Sequence, residues 1–524
     1  MVCIAGGAWA PALAQLQPGP ASGGAASTAL PNLGDGSDMT PSAERRLGDR
    51  IARELYRDPD YVDDPVTMDY VQSLWQPLLA AARLRGDLPA ELDSAYAWEI
   101  LLGRDRTVNA FALPGAYLGV NLGLVGVVTS RDELASVLAH ELSHVTQRHI
   151  SRLISRQSGQ APWLMGAMIL GMLAASKSPG AANAVIVGGQ AAAAQSQLNF
   201  SRDMEREADR VGFGVMTQAG FESQGFVSMF DKLQQASRLN DIGGFPYLRS
   251  HPLTTERIAD MQARVPHAAP DTLAAPDLEQ AMVAARARVL SNPAVDALRT
   301  WTVQSEAASL ARLGPAQQAG TLYGATLAAL KLREFAQAQS LWQRLNAQVQ
   351  GQPRPDPAAQ RLVRWLGAEL ALAQDDGARA LRLLQRTPGS AKPGAPQGAD
   401  TAGLPATASR AELLLWVQAS LQVRQTANVT QALQTWLVEH PHDAQAWQWL
   451  STAYAAQGRT VGSVRAAAEV NAAELDYAAA LTRLKAAQDL ARKGGAGTDF
   501  IESSIVDTRI RQVETLLREQ AVER

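Results

Sequence analysis

Cysteine is almost absent: Cys3 is the only one in 524 residues. An intrachain disulfide is therefore excluded, and packing alone must hold the fold. An excess of either charge is also missing, with 48 Lys and Arg against 51 Asp and Glu and a formal net charge of −3. That balance excludes a broadly basic surface for nucleic acid, and no polybasic run marks a membrane-surface patch. Long apolar runs are missing as well. The two most apolar tracts, Pro162 to Ala175 and Ala181 to Ala194, are separated by Lys177-Ser178-Pro179-Gly180, and neither reaches the roughly 20 residues needed to cross a bilayer. The first is rich in methionine, which adapts to varied apolar partners. It suits an amphipathic or membrane-proximal cover, so peripheral membrane contact is the most that the sequence supports.

Histidine is scarce, with seven in the chain, yet two of them stand in His140-Glu141-Leu142-Ser143-His144. Helical residues four apart point the same way, so two imidazoles can grip one divalent cation from adjacent turns. Glu141 beside them has the position of a general base that takes a proton from the attacking water. Ser130, followed by Glu133, forms a capping-box start for this helix. Leu134, Val137, Leu138, Leu142 and Val145 supply an apolar face.

A tetrahedral site with one open position needs a third protein ligand. Ser201-Arg202-Asp203-Met204-Glu205-Arg206-Glu207-Ala208-Asp209 offers three carboxylates. Glu205 and Asp209 lie one turn apart on one helical face, while Glu207 points away toward solvent. Glu205 is our choice as third ligand, and Asp209 is the carboxylate that braces His140 or His144 through the ring's remaining N–H. His149 reads as solvated, and His267, His440 and His442 lack ligand spacing.

Upstream, Val108 to Ala112 and Tyr117 to Asn121 read as two strands around a Pro-Gly turn. Such a hairpin beside a metal cleft could pair with an extended peptide through Asn109, Ala110, Phe111 and Ala112.

The motifs H-E-L-S-H, S-R-D-M-E-R-E-A-D and N-A-F-A-L-P-G-A-Y-L-G-V-N (Asn109 to Asn121) resemble the gluzincin peptidases, which include the CAAX prenyl-protein endopeptidase and bacterial heat-shock membrane proteases. The resemblance spans roughly residues 40 to 265. It implies one Zn2+ per chain, held by His140, His144 and Glu205, with Glu141 as the catalytic glutamate and metalloendopeptidase activity. Where the family commonly has L-P-G-G, this chain has Leu113-Pro114-Gly115-Ala116, and alanine tolerates less backbone freedom. His251, in Ser250-His251-Pro252, resembles the family's S-H-P or T-H-P element. It is a candidate fourth ligand that would displace water and hold the enzyme latent, or a cation that would stabilise the oxyanion.

The expected fold is mainly α: a gluzincin-type helical metalloprotease domain with a small β-hairpin or sheet, then a tetratricopeptide-like α-solenoid. Residues 1–14 read as a secretory signal cleaved after Ala14, although no basic residue precedes its apolar tract. A flexible leader, 15–42, precedes the protease domain at 43–270. A helical linker and repeat region fills 271–524, with a Pro/Gly/Ala-rich disordered insert near 388–409. Shifting the chain by 34 residues aligns Leu413 with Trp447 and Leu481, and Trp416 with Leu450 and Leu484, which is the tetratricopeptide period. Stacked repeats offer a concave face for extended segments.

With a secretory signal and such repeats, the resemblance implies a periplasmic protein. The resemblance therefore implies stalled or unfolded outer-membrane β-barrel proteins as clients, with the β-barrel assembly machinery as a partner through the repeats. A chaperone or adaptor whose repeats carry the function, with the peptidase held latent, is the alternative.

Overall fold

The computed structural model describes residues 39–156, 201–238, 245–265, 277–385, 408–494 and 500–522. The signal, most of the leader, the two apolar tracts, His267 and nearly all of the Pro/Gly/Ala-rich insert lie outside them. The described chain is mainly helical, with one three-stranded sheet ordered β1-β3-β2. Strand β1 (Glu99–Gly103) runs parallel to β3 (Tyr117–Asn121), and β2 (Ala110–Leu113) pairs antiparallel to β3 on its other side. The expected hairpin is thus present, shifted by one to two residues at β2. Strand β1 was not foreseen, because its parallel partner lies beyond a crossover that leaves no turn signal. Asn109 precedes β2, but its carbonyl still accepts from Asn121 N–H at 3.0 Å.

The turn between β2 and β3 is a short 3-10 element, Pro114–Ala116, in which Gly115 has φ 73° and Ala116 φ 62°. Both sit in the left-handed region that glycine enters without steric cost. Ala116 therefore carries backbone strain that a second glycine would relieve. The helix Pro41–Tyr56 presses on this turn, where a Cβ on Gly48 would fall 2.0 Å from the Pro114 carbonyl oxygen. Only glycine permits that approach.

The histidine-bearing helix, Arg131–Thr146, has Ser130 as N-cap, its hydroxyl accepting from Glu133 N–H at 3.2 Å. Glu133 reaches back to Thr129 N–H at 2.7 Å, one residue further than the expected box, and also holds Lys232. From Glu133 to Thr146 every residue of this helix is buried. It is therefore a central strut rather than an amphipathic surface helix with a single apolar face.

Beyond residue 314 the helices pack in successive pairs. Pro315–Lys331 lies with Phe335–Gln350, Pro357–Leu372 with Gly377–Leu384, and Arg410–Gln422 with Thr426–Glu439; Ala444–Ala456 lies with Thr460–Ala473, and Tyr477–Lys493 with Phe500–Val522. In each of the first four pairs one left-handed residue (Arg333, Asp375, Arg424 or Gly458) stands two positions before the second helix. A left-handed residue ends a helix sharply and turns the chain back.

One hydrophobic core runs without a break from Val66 through Leu138 and Met282 to Leu366, Trp416 and Ala466. Two adjacent acids reinforce it across the length of the chain. Asp64 receives a bidentate contact from Arg286 at 2.6 and 2.8 Å, and Asp63 one from Arg410 at 2.6 and 2.7 Å. Arg286 also reaches Glu369, and Arg410 reaches Asp443. Removing either partner of a buried pair strands the other charge. Residues 39–265 and the paired helices beyond residue 314 are therefore expected to melt in a single calorimetric transition, and two resolved transitions would refute that coupling.

Candidate metal centre

Three chain segments meet at one buried point. The first is the helix Arg131–Thr146. The second is the helix Arg202–Gln218, capped by the Ser201 hydroxyl. Gly212 allows it to lie close against the first: a Cβ there would stand 3.0 Å from the Ala139 carbonyl oxygen. The third is the short helix Tyr247–Ser250, whose amide Tyr247 N–H donates to Val108 O at 3.3 Å and whose C-cap is His251.

Their side chains converge. One donor atom from each of His140, His144, Glu205 and His251 lies within 4.8 Å of all the others, and all four residues are buried. His140 Nε2 stands 3.0 Å from His144 Nε2, 3.5 Å from Glu205 Oε2 and 3.4 Å from His251 Nδ1. His144 Nε2 is 3.4 Å and His251 Nδ1 3.0 Å from Glu205 Oε1. Tetrahedral zinc with bonds of about 2.0–2.2 Å puts its ligand atoms about 3.4 Å apart. The observed edges fit that cage. A further sign agrees: Glu141 Oε1, which faces this cluster, is buried without a hydrogen-bond partner, a state that costs free energy unless an ion or water satisfies it.

Electrostatics are tuned by burial and by neighbours. Burial opposes a charge on His140, but hydrogen bonds and charges from Asp209 and Glu205 overcome it and lift its pKa to about 9. His144 is driven well below the ordinary histidine range by burial and then by the His140 charge. Burial pushes the Glu141 carboxyl up, although His251 and His140 pull the other way. Glu205, despite its burial, is held well below the usual carboxylate range by His251 and His140.

Glu141 Oε2 accepts the Ala112 N–H at 3.0 Å. Because that N–H leaves β2 on the side away from β3, alternation turns the backbone groups of Ala110 and the carbonyl of Ala112 to the same side, away from β3. Of the four residues proposed for peptide pairing, Phe111 instead lies over Gly119, where a Cβ would meet its ring at 2.1 Å.

Asp209 lies where bracing of His140 requires, 3.0 Å from Nδ1, although that N–H is not aligned on the oxygen. Sequence reasoning missed what holds Asp209. Arg257 grips it bidentately at 2.6 and 2.7 Å, stands 2.7 Å from Glu205 Oε2, and is itself buried. Its guanidinium also lies over the Phe230 ring, 5.3 Å from the centroid. The nearest local signal is the Thr254 N-cap, which predicts the helix Thr255–Arg264 but not where Arg257 points.

His149 requires a correction. It is fully buried rather than solvated, with Nδ1 2.9 Å from His144 Nδ1. Extrapolating the helix past His144 misplaced it. The helix ends at Thr146, Arg148 takes φ 53°, and a new helix starts at His149. That break swings the ring back toward His144. Glu207, expected in solvent, is partly covered and holds His149 and Arg152. His440 stacks on Trp436, away from the centre.

A buried H-E-x-x-H helix, a glutamate from a second helix and the small sheet beside them make a metal-binding arrangement of the helical zinc-metallopeptidase type. Residues 69–265 match Peptidase family M48. Three relatives extend the similarity. The beta-barrel assembly-enhancing protease of Yersinia pestis is 27% identical over 518 residues, 95% of this chain and 96% of its own. That of Escherichia coli (strain K12) is 28% identical over 326 residues, 62% of this chain and 63% of its own. A Vibrio cholerae protein provisionally given the same name is 34% identical over 317 residues. The aligned stretch covers 60% of this chain and 62% of that relative, less than two thirds of its length. The stretch 69–265 is thus similar to M48 peptidases.

Proposed function

We propose that the chain is a zinc-dependent endopeptidase of the periplasm that degrades stalled outer-membrane β-barrel proteins or assists their assembly. The convergence of His140, His144 and Glu205 on one buried point carries the catalytic part of this reading. The names of the relatives support the client class. In this reading residues 43–270 form the catalytic domain and 271–524 a tetratricopeptide-like array that grips client or assembly machinery. Unfolded barrel strands are extended, with free backbone edges that suit the outer edge of β2.

His140, His144 and Glu205 would hold the metal, which supplies Lewis acidity toward the scissile carbonyl and lowers the pKa of water. Glu141, raised by burial, accepts the proton of the attacking water and returns it to the leaving amine. Ala112 N–H steadies one Glu141 oxygen and leaves the other facing the ligands. Asp209, clamped by Arg257, orients the His140 ring.

A second reading, a chaperone with a latent peptidase, is favoured by His251. Its Nδ1 joins the ligand set, and Tyr247 stacks on its ring at 4.5 Å. A fourth protein ligand closes the position that water needs. The test is digestion of a denatured β-barrel protein by the full chain. Cleavage that a chelator abolishes and zinc restores is expected, with a faster rate in His251→Ala. Absence of cleavage in both proteins would leave the chaperone reading, and slower cleavage in His251→Ala would make His251 an oxyanion stabiliser.

A further inference from the structure

Metal-bound histidines usually owe their orientation to a carboxylate or carbonyl that accepts the second ring N–H. Asp209 has that place for His140. Around His144 the corresponding position is taken by another imidazole, that of His149. We propose that His149 is a positioning residue for His144, the middle member of a chain Glu207–His149–His144 that fixes which nitrogen His144 presents to the metal. The inference rests on the zinc reading above.

The geometry prescribes every proton in that chain. His144 Nε2 faces the ligand cluster, 3.0 Å from His140 Nε2 and 3.4 Å from Glu205 Oε1. When Nε2 binds metal, the ring proton must sit on Nδ1, which lies 2.9 Å from His149 Nδ1. His149 accepts there, so its own proton occupies Nε2. That nitrogen is 3.0 Å from Glu207 Oε2, which receives it. Arg152 holds the same carboxylate oxygen at 2.9 Å. Two neutral imidazoles thus pass orientation from a partly exposed carboxylate to a fully buried ligand.

The reverse arrangement fails. With the His149 proton on Nδ1, two N–H groups would oppose each other across 2.9 Å, or His144 would have to move its proton to Nε2 and lose the metal. His149 lies five residues after His144, on the far side of the helix break at Arg148. Its placement is therefore a product of the turn and not of helical periodicity.

The test compares zinc affinity, by competition with a chromophoric chelator, in the parent protein, His149→Phe, His149→Asn and Glu207→Leu. Phenylalanine fills the space but removes the ring nitrogen that His149 offers to the His144 N–H, and affinity is expected to fall about 10–100-fold. Asparagine restores an acceptor, its Oδ1, at the same δ position and is expected to recover most of that loss. Glu207→Leu, at a partly exposed position that tolerates replacement, should weaken binding severalfold. The visible spectrum of the Co2+-substituted protein should change in His149→Phe and return in His149→Asn. Affinities within twofold of the parent in both His149→Phe and Glu207→Leu, with unchanged Co2+ spectra, would overturn the proposal. If His149→Phe does not fold, Glu207→Leu and the Asn variant decide alone. A parent that binds no zinc would instead remove the metal reading itself, an outcome distinct from an unchanged variant.

Discussion

Glu141→Gln is expected to lower peptide hydrolysis by roughly 10²–10⁴-fold, the range general-base catalysis supplies, while one zinc stays bound per chain. Glutamine keeps the shape and can still accept the Ala112 N–H, but it cannot take a proton from water. The variant should also be no less stable than the parent in its metal-free form. Burial raises the Glu141 pKa in the folded protein, so near neutral pH its charge disfavours the native state. That penalty vanishes below the unfolded-state pKa of about 4.3. A thermal melt at neutral pH should therefore show Glu141→Gln equal to or above the parent. Residual hydrolysis near the parental rate, with metal still present, would remove Glu141 from the chemistry.

Arg257→Met should be the most damaging single change outside the ligands. It leaves Asp209 and Glu205 as buried carboxylates without their guanidinium, and breaking such a pair costs about 3–5 kcal/mol. The loss should depend on pH in a defined direction. Burial raises Asp209, but Arg257, followed by His140, overcomes it and holds its pKa below the usual carboxylate range. Its stabilising contribution is thus present above the unfolded-state pKa of about 3.9 and is lost as pH falls through the folded value. Without Arg257 the Asp209 carboxyl titrates at higher pH, so the variant's deficit should be largest near neutrality and shrink in mild acid. Denaturant unfolding of the metal-free protein at two pH values measures both effects. A deficit under about 1 kcal/mol, the scale of an exposed pair, would show that Arg257 is dispensable.

The sequence made the clustered side chains legible because their spacing is local. His140 and His144 lie one turn apart, as do Glu205 and Asp209, and helical periodicity alone places each pair on one face. The hairpin was legible from its Pro-Gly turn, and the paired C-terminal helices from their 34-residue period. Contacts set by tertiary crossing were not. Arg257 reaches Asp209 across 48 residues, and Arg286 reaches Asp64 across 222. No local pattern announces either. His149 was misplaced for a different reason: a single left-handed residue, Arg148, reset the helical phase. Ala116 shows the same limit from the other side. Its departure from the family's glycine was visible in the sequence, but the φ of 62° that makes it matter belongs to the fold.

The missing Cβ of Gly212 has a consequence for how such a centre can diversify. Because direct contact between two helices sets where Glu205 stands relative to His140 and His144, a side chain added at position 212 would part the carboxylate from the imidazoles, so this position is closed to drift although it carries no functional group.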